Sequence, residues 1–192
     1  MRKSMLAIAL AIPAILSPAV LMASDITYSV SQSVGAGSVT GSITTDGNTG
    51  LLGGADIVNW NLVVNDGTNP WFDLIGSNSQ VDLFGSDVTA SATQLLFNYS
   101  GGDSGFLLFE NLTIGDSGPF ACFESAEDCS GTPAGISLAS ENGEGDEIYT
   151  PLSGNDVIGT AGLSSTPEPG SLFLLGTGLV GLAGTGWRRF AA

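Results

Sequence analysis

Residues 26–31 read Ile26-Thr27-Tyr28-Ser29-Val30-Ser31, and residues 58–64 read Val58-Asn59-Trp60-Asn61-Leu62-Val63-Val64. In the first, Ile26, Tyr28 and Val30 alternate with Thr27, Ser29 and Ser31. In the second, Val58, Trp60, Leu62 and Val64 share one face and Asn59 and Asn61 the other. A period of two sends successive side chains to opposite sides, so both stretches predict half-buried strands. Working outward, further strands are expected over 38–45, 71–75, 80–84, 88–93, 94–99, 106–114, 119–123, 136–140 and 147–152. Asp46-Gly47, Asn65-Asp66-Gly67 and Gly101-Gly102-Asp103 are turn signals between such runs. No interior window of ten or more residues carries a helical stripe. Many short strands divided by turns predict an all-β domain, an antiparallel sandwich or barrel.

The chain has 192 residues, the size of one ordinary domain. Its four cations are Arg2, Lys3, Arg188 and Arg189, all at the ends, and it has no histidine. Of its 19 acids only Glu168 lies outside residues 24–166, which therefore hold 18 acids and no cation. Such a surface repels phosphate backbones and anionic headgroups, which excludes nucleic acid as a partner. The usual catalytic bases, Schiff-base amines and anion clamps are missing with the cations.

The two ends read as addresses. Residues 1–23 combine a basic head (Arg2, Lys3), an apolar run broken by Pro13 and Pro18, and small Ala23 at the expected cut, the pattern of a secretory signal peptide. Residues 24–163 form the expected extracellular β domain, in a compartment that permits disulfides. Residues 164–192 follow as a polar linker, Pro167-Glu168-Pro169, an uncharged run from Ser171 to Trp187 and the terminal pair Arg188-Arg189. As a helix that run spans about 26 Å, slightly less than a hydrocarbon core of about 30 Å, with the arginines placed to snorkel on the cytoplasmic side.

The order of Pro167, Glu168 and Pro169, a glycine-rich apolar segment and Arg188 with Arg189 resembles the PEP-CTERM sorting signal of Gram-negative bacteria. That resemblance implies recognition by an exosortase, a membrane enzyme cutting near the Pro-Glu-Pro motif, after signal peptidase has removed the leader. It implies transient anchoring through the C-terminal helix and export to the cell surface or extracellular matrix, commonly beside exopolysaccharide. It assigns no activity to the cargo. Residues 41–47 and 55–62 also resemble the opening of other proteins carrying this signal, again with no activity attached.

Several constellations within the domain carry candidate chemistry. Cys122 and Cys129, the only cysteines, predict a small disulfide loop, because two thiolates without histidine do not complete a zinc site. Calcium is the natural partner of surplus carboxylates. The densest groups are Glu124, Glu127 and Asp128 inside the cysteine loop, and Glu141, Glu144, Asp146 and Glu147 in a Gly/Asn-rich loop; the bland alternative for each is a solvated acidic loop. Gly154-Asn155-Asp156-Val157-Ile158-Gly159 resembles part of a calcium-binding RTX nonapeptide but occurs once. Residues 102–105 and 115–118 both spell Gly-Asp-Ser-Gly, as around a serine-protease nucleophile, yet no histidine exists to activate either serine. A carboxylate-only glycosidase survives that objection, although no acid pair stands out. Asn98-Tyr99-Ser100 and Asn111-Leu112-Thr113 match the glycosylation sequon by chance in a bacterial chain. Trp60, Trp71 and the other aromatics fit either a core or a carbohydrate platform. The expected function is a non-catalytic structural or interaction protein without a resident cofactor. A calcium-dependent carbohydrate-binding module and then a glycosidase follow it.

Overall fold

A computed structural model describes residues 24–101, 104–111, 118–126, 133–141 and 147–162; the predicted signal peptide and sorting tail lie outside them. Thirteen strands occur among the described residues: β1 (Ile26–Val34), β2 (Gly37–Thr45), β3 (Gly50–Leu51), β4 (Ile57–Asn65), β5 (Phe72–Ile75), β6 (Ser79–Phe84), β7 (Val88–Ala90), β8 (Gln94–Asn98), β9 (Phe106–Asn111), β10 (Phe120–Glu124), β11 (Gly135–Ala139), β12 (Ile148–Pro151) and β13 (Asn155–Ala161). One 3-10 turn, Gly54–Asp56, precedes β4, and no described helix is long and apolar enough to cross a membrane.

All pairings are antiparallel and sort into two sheets. The eight-stranded sheet runs β3-β7-β8-β13-β1-β2-β4-β5, and the five-stranded sheet runs β12-β11-β10-β9-β6. Alternation drives this arrangement. Tyr28, Val30, Val39, Ile43, Leu62 and Val64 on one sheet, and Leu107, Phe109, Phe123, Ile136 and Leu138 on the other, enter one buried core. The all-β sandwich follows from burying one face of each sheet against the other.

Two polar contacts fix the core's geometry. Trp60 packs on Phe109 with ring centroids 5.8 Å apart and donates its indole N–H to Ser79 Oγ at 2.8 Å, tying the two sheets together. Tyr28, fully buried, donates its hydroxyl to the Ser91 carbonyl at 2.6 Å. The turn signal at Asn65-Asp66-Gly67 forms a carboxylate cap. Asp66 accepts from the Thr68 and Asn69 amides, both at 2.8 Å, from Asn69 Nδ2 at 3.0 Å and from Ser140 Oγ at 2.7 Å.

Three expectations need correction. Val58 faces solvent, 47% exposed, because the β2–β4 register shifts between Thr44 and Thr45 and places Ile57 inward instead. Residues 154–159, read as a nonapeptide fragment, fall in β13 from Asn155 onward, and that strand sits between β8 and β1 near the middle of the larger sheet. Gly159 marks the reason: a Cβ there would lie 2.9 Å from Tyr28 Cβ, so a small residue permits close strand approach at a register shift. The run expected over 88–93 ends at Ala90, because Ser91 starts a turn closed by its amide to the Gln94 carbonyl at 2.8 Å and by the Gln94 amide to Ser91 Oγ at 2.9 Å.

Candidate functional site

The residue types that imitate catalysis have structural partners. Ser104 of the first Gly-Asp-Ser-Gly string is exposed with a positive φ of 44°, a turn conformation; the second string lies outside the described residues except for Gly118. The buried Asp87 instead accepts from Ser125 Oγ at 2.7 Å, and the Gly105 amide donates to that same Oγ at 2.9 Å. This serine–aspartate pair has no imidazole between its members. Its surroundings explain it as a clamp: Cβ atoms at Gly101 and Gly105 would meet the Asp87 carboxylate at 1.9 and 2.2 Å, so glycine at these two positions makes room for it.

Of the acidic residues considered for calcium, Glu124 is not in a solvated loop. It ends β10, is fully buried, and has Ser137 Oγ 3.4 Å from its Oε1. Glu141 and Glu147 are exposed at the rims of the described segments, while Glu127, Asp128, Glu144 and Asp146 lie outside them. No group of three or more His, Cys, Asp or Glu placed to hold a metal occurs among the described residues. Cys122 is buried in β10 and disulfide-bonded; Cys129 lies outside the described residues. Pro167, Glu168, Pro169, Arg188 and Arg189 lie outside them too.

The outer face of the five-stranded sheet is where chemistry meets solvent. Its in-register rows are Phe84, Phe106, Glu124 and Gly135; Asp82, Leu108, Cys122, Ser137 and Tyr149; and Gln80, Glu110, Phe120 and Ala139. Toward β10 and β11 this face is covered: Cys122, Glu124 and Ser137 are fully buried. Tyr149 lies over Gly135, donates its hydroxyl to the Ala134 carbonyl at 2.7 Å, and has its pKa raised by burial and by the Glu124 charge. Toward β6 and β9 the face opens. Gln80, Asp82 and Phe84 are exposed there, and Phe106, Leu108 and Glu110 are half-buried.

Phe84 is 59% exposed and stacks on Phe106, the residue directly opposite it, with ring centroids 5.8 Å apart and planes at 25°. In the far row the Gln80 side-chain amide donates to Glu110 Oε1. Asp82 stands in the row between, opposite Leu108 and on the same strand face as Phe84. The signal for this patch was present in the sequence as Gln80, Asp82 and Phe84 alternating with the inward Val81 and Leu83. Reading the segment only as a strand passed over the apolar residue on its wet side. Trp60 is half-buried and packs against the core, whereas Trp71 is 62% exposed just before β5.

No curated protein and no solved structure matches the chain. The PEP-CTERM protein-sorting motif family matches residues 165–189, spanning Pro167-Glu168-Pro169, the apolar run and Arg188-Arg189. The motif marks an exported, cell-surface protein processed by exosortase. The chain thus carries the PEP-CTERM protein-sorting motif behind an all-β body of two antiparallel sheets.

Proposed function

We propose that this chain is a non-catalytic interaction protein of the cell surface or extracellular matrix in a Gram-negative bacterium. In this reading signal peptidase removes residues 1–23, the segment from Ser171 to Trp187 anchors the precursor in the membrane, and exosortase cuts near Pro167-Glu168-Pro169. Cys122 pairs with Cys129, the only other cysteine, once the chain reaches an oxidising compartment. The observation that carries the reading is the sorting motif at residues 165–189 attached to a body without a single cation. Absence of histidine throughout and of lysine beyond Lys3 supports a binding role over a catalytic one.

A carbohydrate-binding role is favoured as the specific form by the exposed Phe84–Phe106 stack on the same sheet face as Asp82 and Glu110; an exopolysaccharide or another matrix component is the matching partner. The processing steps are tested by intact-mass and terminal sequencing of protein recovered from cells that export it. A chain starting near Ser24 and lacking Arg188-Arg189 is expected. Full-length protein beginning at Met1 and free in the cytosol overturns the proposal.

A further inference from the structure

We propose that the open half of the five-stranded sheet's outer face, built on Phe84, Phe106, Asp82 and Glu110, binds a polysaccharide bearing free amino groups. The proposal rests on the reading of the chain as a surface interaction protein. Three observations select this ligand chemistry. The Phe84 and Phe106 rings form a continuous apolar step across two strands, a surface that accepts the C–H face of a pyranose. Asp82 in the adjacent row and Glu110 one row beyond it place carboxylates along the same face, where successive sugars of a chain lying across that step would pass. No Lys, Arg or His occurs between residues 24 and 166, so no protein cation competes for those carboxylates.

The other occupants fit less well. A second copy of the chain would set Asp82 and Glu110 against acids with no cation to neutralise them. Its apolar contact would be three side chains a side, against the roughly 20–30 residues a side of a stable interface. A polyuronate or other polyanion is repelled by the whole domain. A neutral sugar would stack on the rings but leave the carboxylates unused. An exposed ion pair contributes little by itself, so one amino sugar binds weakly, and a polymer gains through repetition along the chain. An ammonium over either ring adds a cation–π contact.

The test measures binding of the exported protein at about pH 5.5, where amino groups carry their proton. The probes are a β-1,4-linked glucosamine hexamer, the fully N-acetylated hexamer, a polyuronate and poly-lysine. The glucosamine hexamer is expected to bind about tenfold tighter than the acetylated one, and the polyuronate not at all. Phe84→Ala should weaken glucosamine binding about tenfold and Asp82→Asn several-fold, while Phe84→Tyr retains it. Poly-lysine, held by diffuse charge, should be indifferent to Phe84→Ala. Equal affinity for the two hexamers, or unchanged glucosamine binding in both Phe84→Ala and Asp82→Asn, overturns the proposal. So does self-association that Phe84→Ala abolishes. Because Phe84 is outside the core, matched melting temperatures separate lost binding from lost fold. Failure of these assays with correctly trimmed termini removes this ligand and leaves the export reading standing.

Discussion

Asp66 shows how one side chain decides a turn. Burial pushes its carboxyl pKa up, but the Asn69 and Thr68 amides, the Ser140 hydroxyl and the Asn69 side chain together hold it well below the ordinary carboxylate range. A depressed folded pKa contributes stability above the unfolded value of about 3.9, and that contribution disappears as pH falls through the folded value. Thermal unfolding followed from pH 5 down to pH 2 should therefore show a steeper loss in the native chain than in Asp66→Ala. At neutral pH that variant should lose about 1–3 kcal/mol, measured by urea unfolding, since it leaves two backbone donors and a buried hydroxyl without their acceptor. The sequence signalled a turn at Asn65-Asp66-Gly67 but not its anchor. Ser140 is 74 residues away and joins only when β11 packs nearby.

At the scale of elements, β13 and the β2–β4 pair show what alternation can and cannot specify. Ile26, Tyr28 and Val30 announce β1 because they alternate strictly with polar residues. β13 announces itself poorly, since Gly154, Asn155, Asp156 and Gly159 look like loop chemistry. Its position is fixed by β8 and β1 on either side and by the absence of a side chain at Gly159, where a Cβ would crowd Tyr28. Gly159→Val should thus destabilise by about 1–3 kcal/mol through overpacking, read as a lowered urea midpoint with an unchanged m-value. Trp60→Phe keeps the ring contact with Phe109 but removes the donor to Ser79, and should cost about 0.5–1.5 kcal/mol by the same measurement. In the same way Val58 fails its alternation because a register shift is a property of two strands, visible in neither alone.

For the whole molecule, charge is the dominant quantity. A formal net charge of −15 makes self-repulsion work against compaction. Added sodium chloride should raise the melting temperature by screening it. A rise with calcium that exceeds sodium at matched ionic strength, and that EDTA reverses, would identify a bound cation, for which the loop acids around Glu127, Asp128, Glu144 and Asp146 would be the ligands. Reducing the protein should lower stability by no more than about 2–3 kcal/mol if Cys122 and Cys129 close their short loop, as read from melting with and without reductant. Substituting Ala for Pro167, Glu168 and Pro169 together should leave the tail on the surface protein, as an intact-mass increase in the envelope fraction.

The sequence by itself determined the address, the sign of the surface and the all-β class. Each is carried by composition, by residue order along a short segment, or by a period of two that needs no partner to be read. Only the tertiary structure decided that β13 completes the larger sheet, that Glu124 is buried rather than solvated, and that Phe84 meets Phe106 on an open face. Those facts depend on which strands pair and in what register, and register is set by contacts between residues far apart in the chain.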